Sequence, residues 1–352
     1  MTELVTQETT GEASARRDVP LLLSVRGLRV SYRTPRGTMH AVDGASFDVG
    51  QAEMLGLVGE SGCGKTTAAR SLTGVLAGNA RVTGGSVTFT GRDLLALDRQ
   101  DARAIRWTEI AFVPQSAMNS LDPVYRIEAQ LLEVLARGNI RGRAARLRAR
   151  ELLDMVGLPH TVLASFPHQL SGGMRQRVAI ALALALNPLL VIADEPVTAL
   201  DVIVQREVLD TMRDLQRRLH VSVIMITHDI SVVAYCCDSI AVMYAGQVVE
   251  SGPSAVLLGQ AAHPYTMGLC NAFPDLERAA DLLVPIQGSP PDLHEPPTGC
   301  RFAARCPFAL ERCAQEPPPL TEIAPGHRAA CWRSGEAAAL RVRATEASTW
   351  MP

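Results

Sequence analysis

Residues Gly59-Glu60-Ser61-Gly62-Cys63-Gly64-Lys65-Thr66 constrain this chain more than any other stretch of it. They fit the phosphate-binding loop pattern, and their setting agrees: the apolar run Met54–Val58 reads as a short strand leading in, and Thr66–Leu76 as a helix leading out. The glycines let backbone N–H groups face phosphate oxygens with no side chain in the way. The helix start adds its positive dipole end. Lys65 is then placed to reach the β- and γ-phosphates, and the Thr66 hydroxyl to ligate Mg2+.

Two further apolar runs read as buried strands, and each delivers a polar residue at its end. Leu189–Ala193 runs into Asp194-Glu195, and Val221–Thr227 into His228. Carboxylates at the tip of a buried strand are costly unless they meet a cation or a proton-transfer task. Asp194 would hold Mg2+, directly or through water, and Glu195 would polarise an attacking water. Two solvated loop acids would be the plainer reading, but it loses force beside a phosphate loop. A single histidine is usually structural. Its position after a core strand, where open α/β sheets bind ligands, favours a γ-phosphate contact for His228.

Elsewhere, Ser24–Phe47 alternates apolar and polar residues and turns at Thr34-Pro35-Arg36-Gly37, which predicts antiparallel strands. Val87–Phe89 reads as another strand, and Ile240–Val249 as a hairpin turning at Ala245-Gly246. From about Asp98 to Leu186 the pattern is helical, with Arg141, Arg143, Arg146, Arg148 and Arg150 on a solvated face. Beyond Gly252 prolines multiply and the chain reads as irregular. No internal repeat appears, so one ATPase unit is expected.

Of the 352 residues 47% are apolar and 20% charged, an ordinary globular balance, and the net charge of −2 gives no electrostatic reason to expect nucleic acid. No apolar run approaches the roughly 18 residues of a membrane-spanning helix. Val178–Leu186 stops at Asn187-Pro188, and the first twenty residues are polar. The expectation is a cytoplasmic chain that reaches a membrane only through partners.

Leu170-Ser171-Gly172-Gly173-Met174-Arg175-Gln176-Arg177 resembles the signature motif of ABC ATPases. The order of the other motifs matches that family too: Tyr32, the phosphate loop, Gln115, the signature, Asp194-Glu195, Ala199-Leu200-Asp201 and His228. The resemblance runs from about residue 24 to 335. It implies an α/β fold with a P-loop (RecA-like) ABC ATPase core, an antiparallel β subdomain and a helical signature subdomain. It also implies two such subunits closing head-to-tail over two ATP molecules, each site pairing one subunit's phosphate loop with the other's signature. On that reading Gly59, Ser61, Gly62, Cys63, Gly64, Lys65, Thr66 and Thr67 contact ATP, and Tyr32 stacks on adenine. Gln115 senses Mg2+ and the γ-phosphate. Ser171, Gly172, Gly173 and Met174 face the partner's nucleotide, and Asp201 lies at the dimer seam. Catalysis rests on Glu195, His228, Gln115 and Lys65; Mg2+ is held by Thr66, Gln115 and Asp194. The commonest signature ends in Gln where this chain has Met174, a feature of the peptide-importer branch.

His263-Pro264-Tyr265-Thr266, Gly288-Ser289-Pro290-Pro291 and the cysteines at 300, 306, 313 and 331 resemble the Pro/Cys-rich C-terminal extension of oligopeptide and dipeptide importer ATPases. The spacing C-x5-C-x6-C-x17-C is neither the bacterial ferredoxin run nor a pair of CxxC knuckles. Four thiolates suit tetrahedral zinc or an iron–sulfur cluster. The resemblance implies a [4Fe-4S] cluster at Cys300, Cys306, Cys313 and Cys331; zinc or free thiols are alternatives, and His327 keeps a mixed site open. Cys63, Cys236, Cys237 and Cys270 read as packing residues.

The resulting division is a flexible N-terminal tail at 1–20, an ABC ATPase domain at 21–259 with its helical subdomain at about 116–186, an extension at 260–336 and a tail at 337–352. The implied function is ATP-driven uptake of di- or oligopeptides from the cytoplasmic face of the membrane. Expected partners are a second ABC ATPase subunit, two integral membrane permease subunits and an extracytoplasmic substrate-binding protein, with no nucleic acid. Alternatives are an importer of nickel or another small solute, a soluble ABC protein acting on ribosomes or DNA, and a sensor built on the C-terminal cysteines.

Overall fold

The computed structural model describes residues 20–115, 120–198, 200–271 and 286–350. The expected N-terminal tail and Ala199 of the motif Ala199-Leu200-Asp201 therefore lie outside the described residues, apart from Pro20.

Strands β1 (Leu21–Thr34) and β2 (Gly37–Gly50) form an antiparallel pair that turns where Pro35 and Gly37 stand. Leu23, Val25, Leu28 and Val30 of β1 bury fully, a period-2 face whose phase is shifted by one residue at an irregularity between Val25 and Leu28. Strand β3 (Met54–Val58) enters the phosphate loop, and the helix Lys65–Leu72 leaves it. Strand β4 (Ala80–Phe89) returns against β1, and the short β5 (Arg92–Asp93) completes an antiparallel sheet of order β2-β1-β4-β5.

The second sheet carries the site. Strand β6 (Ile110–Val113), β7 (Leu190–Asp194), β8 (Ser222–Thr227), β9 (Ser239–Tyr244) and β10 (Gln247–Pro253) join β3, with β11 (Thr321–Ala324) and β12 (His327–Ala329) at the far edge. The order is β11-β12-β10-β9-β3-β8-β7-β6. Pairings β6–β7, β7–β8, β3–β8 and β3–β9 are parallel, so the carboxyl ends of β6, β7, β8 and β3 lie along one edge. The hairpin β9–β10 turns at Ala245-Gly246 as expected.

Strand β6 corrects the reading of Asp98–Leu186 as continuously helical. The helix Arg99–Thr108, capped by Asp98, breaks at Arg106-Trp107 and gives way to the strand. Helices Ile127–Arg137, Gly142–Met155 and Gly172–Ala183 then pack through Leu131, Leu135, Leu152, Leu153 and Val178. The arginines of Gly142–Met155 face outward, where Arg148 pairs with Glu151 at 3.3 Å and Arg146 with Glu128 at 3.8 Å.

The chain beyond residue 260 is more regular than its prolines suggest. Pro264–Asn271 is a helix, and β12 extends the main sheet by pairing Glu250 with Ala329 and Ser251 with Arg328. Residues 337–350, expected as a tail, form helices Ala337–Ala344 and Ala347–Trp350, and Leu340 and Trp350 are buried. Among the described residues no helix is long and apolar enough to cross a membrane.

Candidate ATP site at the carboxyl edge of the sheet

Four strands deliver the predicted residues to one place. β3 ends at Val58 and leads into Gly59–Thr66; β7 ends at Asp194 and leads to Glu195; β8 ends at Thr227 and leads to His228; β6 ends at Val113, two residues before Gln115. Ligands bind at this edge in open α/β sheets because loops diverge there and leave a crevice.

The loop is packed against its own sheet so tightly that two glycines are obligatory. A Cβ on Gly64 would sit 2.2 Å from the Ala41 carbonyl oxygen, and one on Gly59 would sit 2.1 Å from that of Met243. Gly64 is moreover left-handed at φ 102°. Lys65 is buried and folds back, donating from Nζ to the carbonyls of Gly59 at 2.6 Å and Glu60 at 2.9 Å. Cys63 is buried beside it, and burial pushes its thiol up despite the nearby ammonium. The Tyr32 hydroxyl lies 3.1 Å from Thr67 Oγ1, which puts the β1 tyrosine beside the helix that leaves the loop.

Asp194 is fully buried; its Oδ1 accepts from Thr66 Oγ1 at 2.9 Å and its Oδ2 has no hydrogen-bond partner. Burial raises its carboxyl above the ordinary value. A buried orphan oxygen beside a hydroxyl is the donor set a hard cation takes. Residues Thr66 and Asp194 therefore fit Mg2+.

Glu195 turns away from its neighbour. Its backbone is left-handed at φ 47°, and its N–H donates to the Ile226 carbonyl of β8 at 2.9 Å. A glutamate there is strained, a cost that gathers at functional sites. The turn carries the carboxylate between Gln115 Nε2 at 2.7 Å, Thr198 Oγ1 at 3.1 Å and His228 Nδ1 at 3.1 Å. Burial pushes this carboxyl up, but the bonds from His228, Thr198 and Gln115 outweigh it and hold it below the ordinary value. Gln115 thus bonds to Glu195 rather than to Asp194. Thr198 was not singled out in the sequence; its place three residues after Glu195 is the only signal.

The signature forms a separate group. Ser171 caps the helix Gly172–Ala183 by accepting from Met174 N–H at 3.3 Å, and Gly173 is buried against Val204. Asp201 caps the helix Val202–Leu219, accepting from Val204 N–H at 3.0 Å. Among the described residues no hydrogen bond joins Ser171–Met174 to the phosphate loop or to Glu195.

The four C-terminal cysteines line one cavity of about 20 Å³ together with His263, Phe302 and Trp332. None is in a disulfide. Backbone N–H groups of Leu310 and Arg333 reach the Cys313 and Cys331 sulfurs at 3.4 Å each. Burial pushes Cys306 up to about 12 and Cys331 up to about 11. Among the described residues, however, no three His, Cys, Asp or Glu side chains are arranged to hold a metal ion. The space is about that of one water, so a four-iron cluster fits only if the thiols spread. His327 does not join them: its Nε2 pairs with the buried Glu250 at 2.7 Å.

The ABC transporter family profile matches residues 42–198, and that of the oligopeptide/dipeptide transporter C-terminal region matches 249–313. A probable peptide ABC transporter ATP-binding protein of Sinorhizobium fredii is 45% identical over 324 residues, covering 90% of this chain and 96% of its own. The oligopeptide transport ATP-binding protein OppD of Escherichia coli is 43% identical, covering 94% and 98%. The dipeptide transport ATP-binding protein DppD of Bacillus subtilis is 44% identical, covering 88% and 94%. Among solved structures, a dimeric ATP-binding cassette in a post-hydrolysis state with ADP and phosphate superposes with a TM-score of 0.59 at 28% identity, over 66% of this chain and 98% of that one. With a hydrolytic edge of this kind and relatives of this likeness, the chain is an ATPase and belongs to the family of ATP-binding subunits of oligopeptide and dipeptide ABC transporters.

Proposed function

We propose that this ATPase energises uptake of di- or oligopeptides across the cytoplasmic membrane, working as a peripheral subunit on its cytoplasmic face. One observation carries the reading: a single chain couples a cassette, whose hydrolytic residues meet at one sheet edge, to the C-terminal region of peptide-transporter subunits. Its partners are a second ABC ATPase subunit, two membrane permease subunits and, through them, an extracytoplasmic binding protein. Val202 and Ile203, 81% and 73% exposed beside Asp201, support a seam for the second ATPase. Val124 and Tyr125, 71% and 57% exposed before the first helix of the helical subdomain, support a contact with the permeases.

In the proposed chemistry Lys65 and the loop N–H groups bind the β- and γ-phosphates, and Tyr32 stacks on adenine. Thr66 and Asp194 would hold Mg2+, with Gln115 joining them only on leaving Glu195, and the ion would neutralise charge on the phosphate oxygens. Glu195, kept ionised, orients the attacking water and takes its proton, and His228 steadies Glu195 and reaches the γ-phosphate. Ser171, Gly172 and Gly173 close the partner's site with helix N–H groups. The test is purification of the chain with its two permeases, followed by ATP-driven uptake of a labelled dipeptide into vesicles. Uptake of nickel in place of peptide would redirect the cargo, and a chain that never co-purifies with membrane proteins would overturn the transport role.

The finer part concerns the tail, where we infer a metal centre at Cys300, Cys306, Cys313 and Cys331. Convergence of four thiols on one cavity and the N–H donors around them support it. Either metal demands that the thiols move from where they stand, a [4Fe-4S] cluster more than a single Zn2+, because no three of them are arranged for a metal ion now. Anaerobic preparation separates the cases: brown protein with iron and sulfide, colourless protein with one zinc, or metal-free protein whose four thiols alkylate freely, which ends the proposal.

A further inference from the structure

Arg305, next to Cys306, reaches back to the phosphate loop across 245 positions of sequence, with its side chain only 6% exposed. Its Nη1 and Nη2 donate to Glu60 Oε2 and Oε1 at 2.8 and 2.9 Å, a bidentate fork. Nη1 also donates to the Tyr244 hydroxyl at 3.1 Å, and Nε and Nη2 donate to the carbonyls of Gln287 and Ile286 at 2.9 and 3.2 Å. Glu60, the second residue of the loop, is consequently held at three points. Arg305 grips its carboxylate, its backbone N–H donates to the Tyr265 hydroxyl at 2.9 Å, and its carbonyl accepts from Lys65 Nζ at 2.9 Å. Arg301, next to Cys300, supports the same loop from behind. It bonds Asp43 and the Ala245 carbonyl, and the following residue, Gly246, donates its N–H to the Cys63 carbonyl at 2.9 Å.

We infer that Arg305 is a positioning residue for ATP binding: it fixes Glu60 and cancels its charge, so that the loop meets the triphosphate in a ready shape. Without the guanidinium a carboxylate would stand bare in a loop that must accept an anion. The partner of a largely buried ion pair is costly to strand, because neither water nor another charge replaces what was lost. A bare carboxylate about 10 Å from a phosphate, at an effective dielectric near 20, lowers affinity about tenfold. The inference rests on ATP binding at this loop and on nothing about cargo or about metal at the cysteines.

The test is MgATP titration of the full chain against a fluorescent ATP analogue, with thermal melting recorded alongside. Arg305→Gln keeps reach and some bonding but drops the charge, and should weaken affinity about tenfold. Arg305→Lys keeps the charge but not the fork, and should lose clearly less affinity than Arg305→Gln. Adding Glu60→Gln to Arg305→Gln removes the stranded carboxylate and should recover most of the loss. An arginine that only props up the fold would lose affinity alike as Gln and Lys and gain nothing from Glu60→Gln. Wild-type affinity in Arg305→Gln, or a double variant as weak as the single, overturns the inference. Should Arg305→Gln fail to fold, the double variant carries the test, and a loss of about tenfold in it is decisive against the inference. Wild-type chain that binds no MgATP would sink the ATP site itself, a different failure.

Discussion

Gly173→Ala tests whether the signature glycine is required by packing inside its own subunit as well as by phosphate contact. A Cβ there would sit 2.3 Å from Val204 Cγ1, whereas carbon atoms rest at about 3.5–4.0 Å. Something must therefore move by about 1 Å or more. Val204 cannot swing aside, because a β-branched residue in a helix has one strongly preferred rotamer. The helices Gly172–Ala183 and Val202–Leu219 must separate instead. Overpacking of this kind costs about 1–3 kcal/mol, from which alanine's better helix propensity returns about 0.5–1. A net loss of about 1–2 kcal/mol should lower the melting temperature of a chain this long by about 1–3 °C. Val204→Ala deletes the clashing methyl, so the double variant should be more stable than the sum of the singles by about 1 kcal/mol or more. The assay is thermal melting of the four chains, repeated as ATP turnover in the assembled complex. Unchanged melting in Gly173→Ala, or strictly additive singles, would refute the packing argument. Restored melting without restored turnover would leave the phosphate contact as the glycine's second task.

Glu195→Gln should leave nucleotide affinity intact and slow hydrolysis by about 10²–10⁴-fold, read as single-site turnover in the complex; near-normal turnover, once the partner's own site is inactivated, would remove it as the base. Lys65→Ala should instead weaken nucleotide binding itself, measured by titration. The isolated chain should hydrolyse ATP slowly and speed up when a second ATPase subunit and the permeases are added; full rate alone would favour self-pairing. His263 is buried, accepts at Nδ1 from Tyr265 N–H at 3.1 Å, and is held near 4, below the ordinary imidazole value, despite the pull of Glu250. The unfolded chain therefore takes up a proton that the folded chain refuses. Stability from this group is full above about pH 6.5 and falls by about 1 kcal/mol per unit toward pH 4, a slope that His263→Gln should flatten in melting curves.

What could be read in the sequence was whatever local chemistry announces. The phosphate loop, the carboxylates after β7 and the histidine after β8 each follow a short apolar run, and a parallel sheet brings such strand ends together. Strand β6 escaped because its four residues are too short to show a period between helices on both sides. The helices after residue 337 escaped because alanines dominate Ala337–Ala344 and give it no clear apolar face in the sequence, although Leu340 and Trp350 bury. The convergence of Gln115, Thr198 and His228 on Glu195 depends on a left-handed backbone at Glu195 that no residue type there signals. Contacts across 245 positions, such as Arg305 with Glu60, leave no local trace at all.

Those distant contacts bear on where the ATPase of this chain ends. Gly64 lies against Ala41, Gly59 against Met243, the Cys63 carbonyl on Gly246, and Glu60 on Tyr265 and Arg305. The first three anchors lie within the cassette, but the last two come from the helix Pro264–Asn271 and from the segment among the cysteines. The same region covers Tyr244, whose ring lies 4.6 Å from that of Tyr265 and 5.2 Å from that of Phe302, and it pairs β12 with β10. A boundary at 259 would bare an aromatic core position, open a sheet edge and strip Glu60 of its cation in one cut. The match to the solved cassette covers only about two thirds of this chain, 66%. In this chain the phosphate loop is held in part by Tyr265 and Arg305, both beyond residue 259, so a change at the cysteines has a direct structural route to that loop.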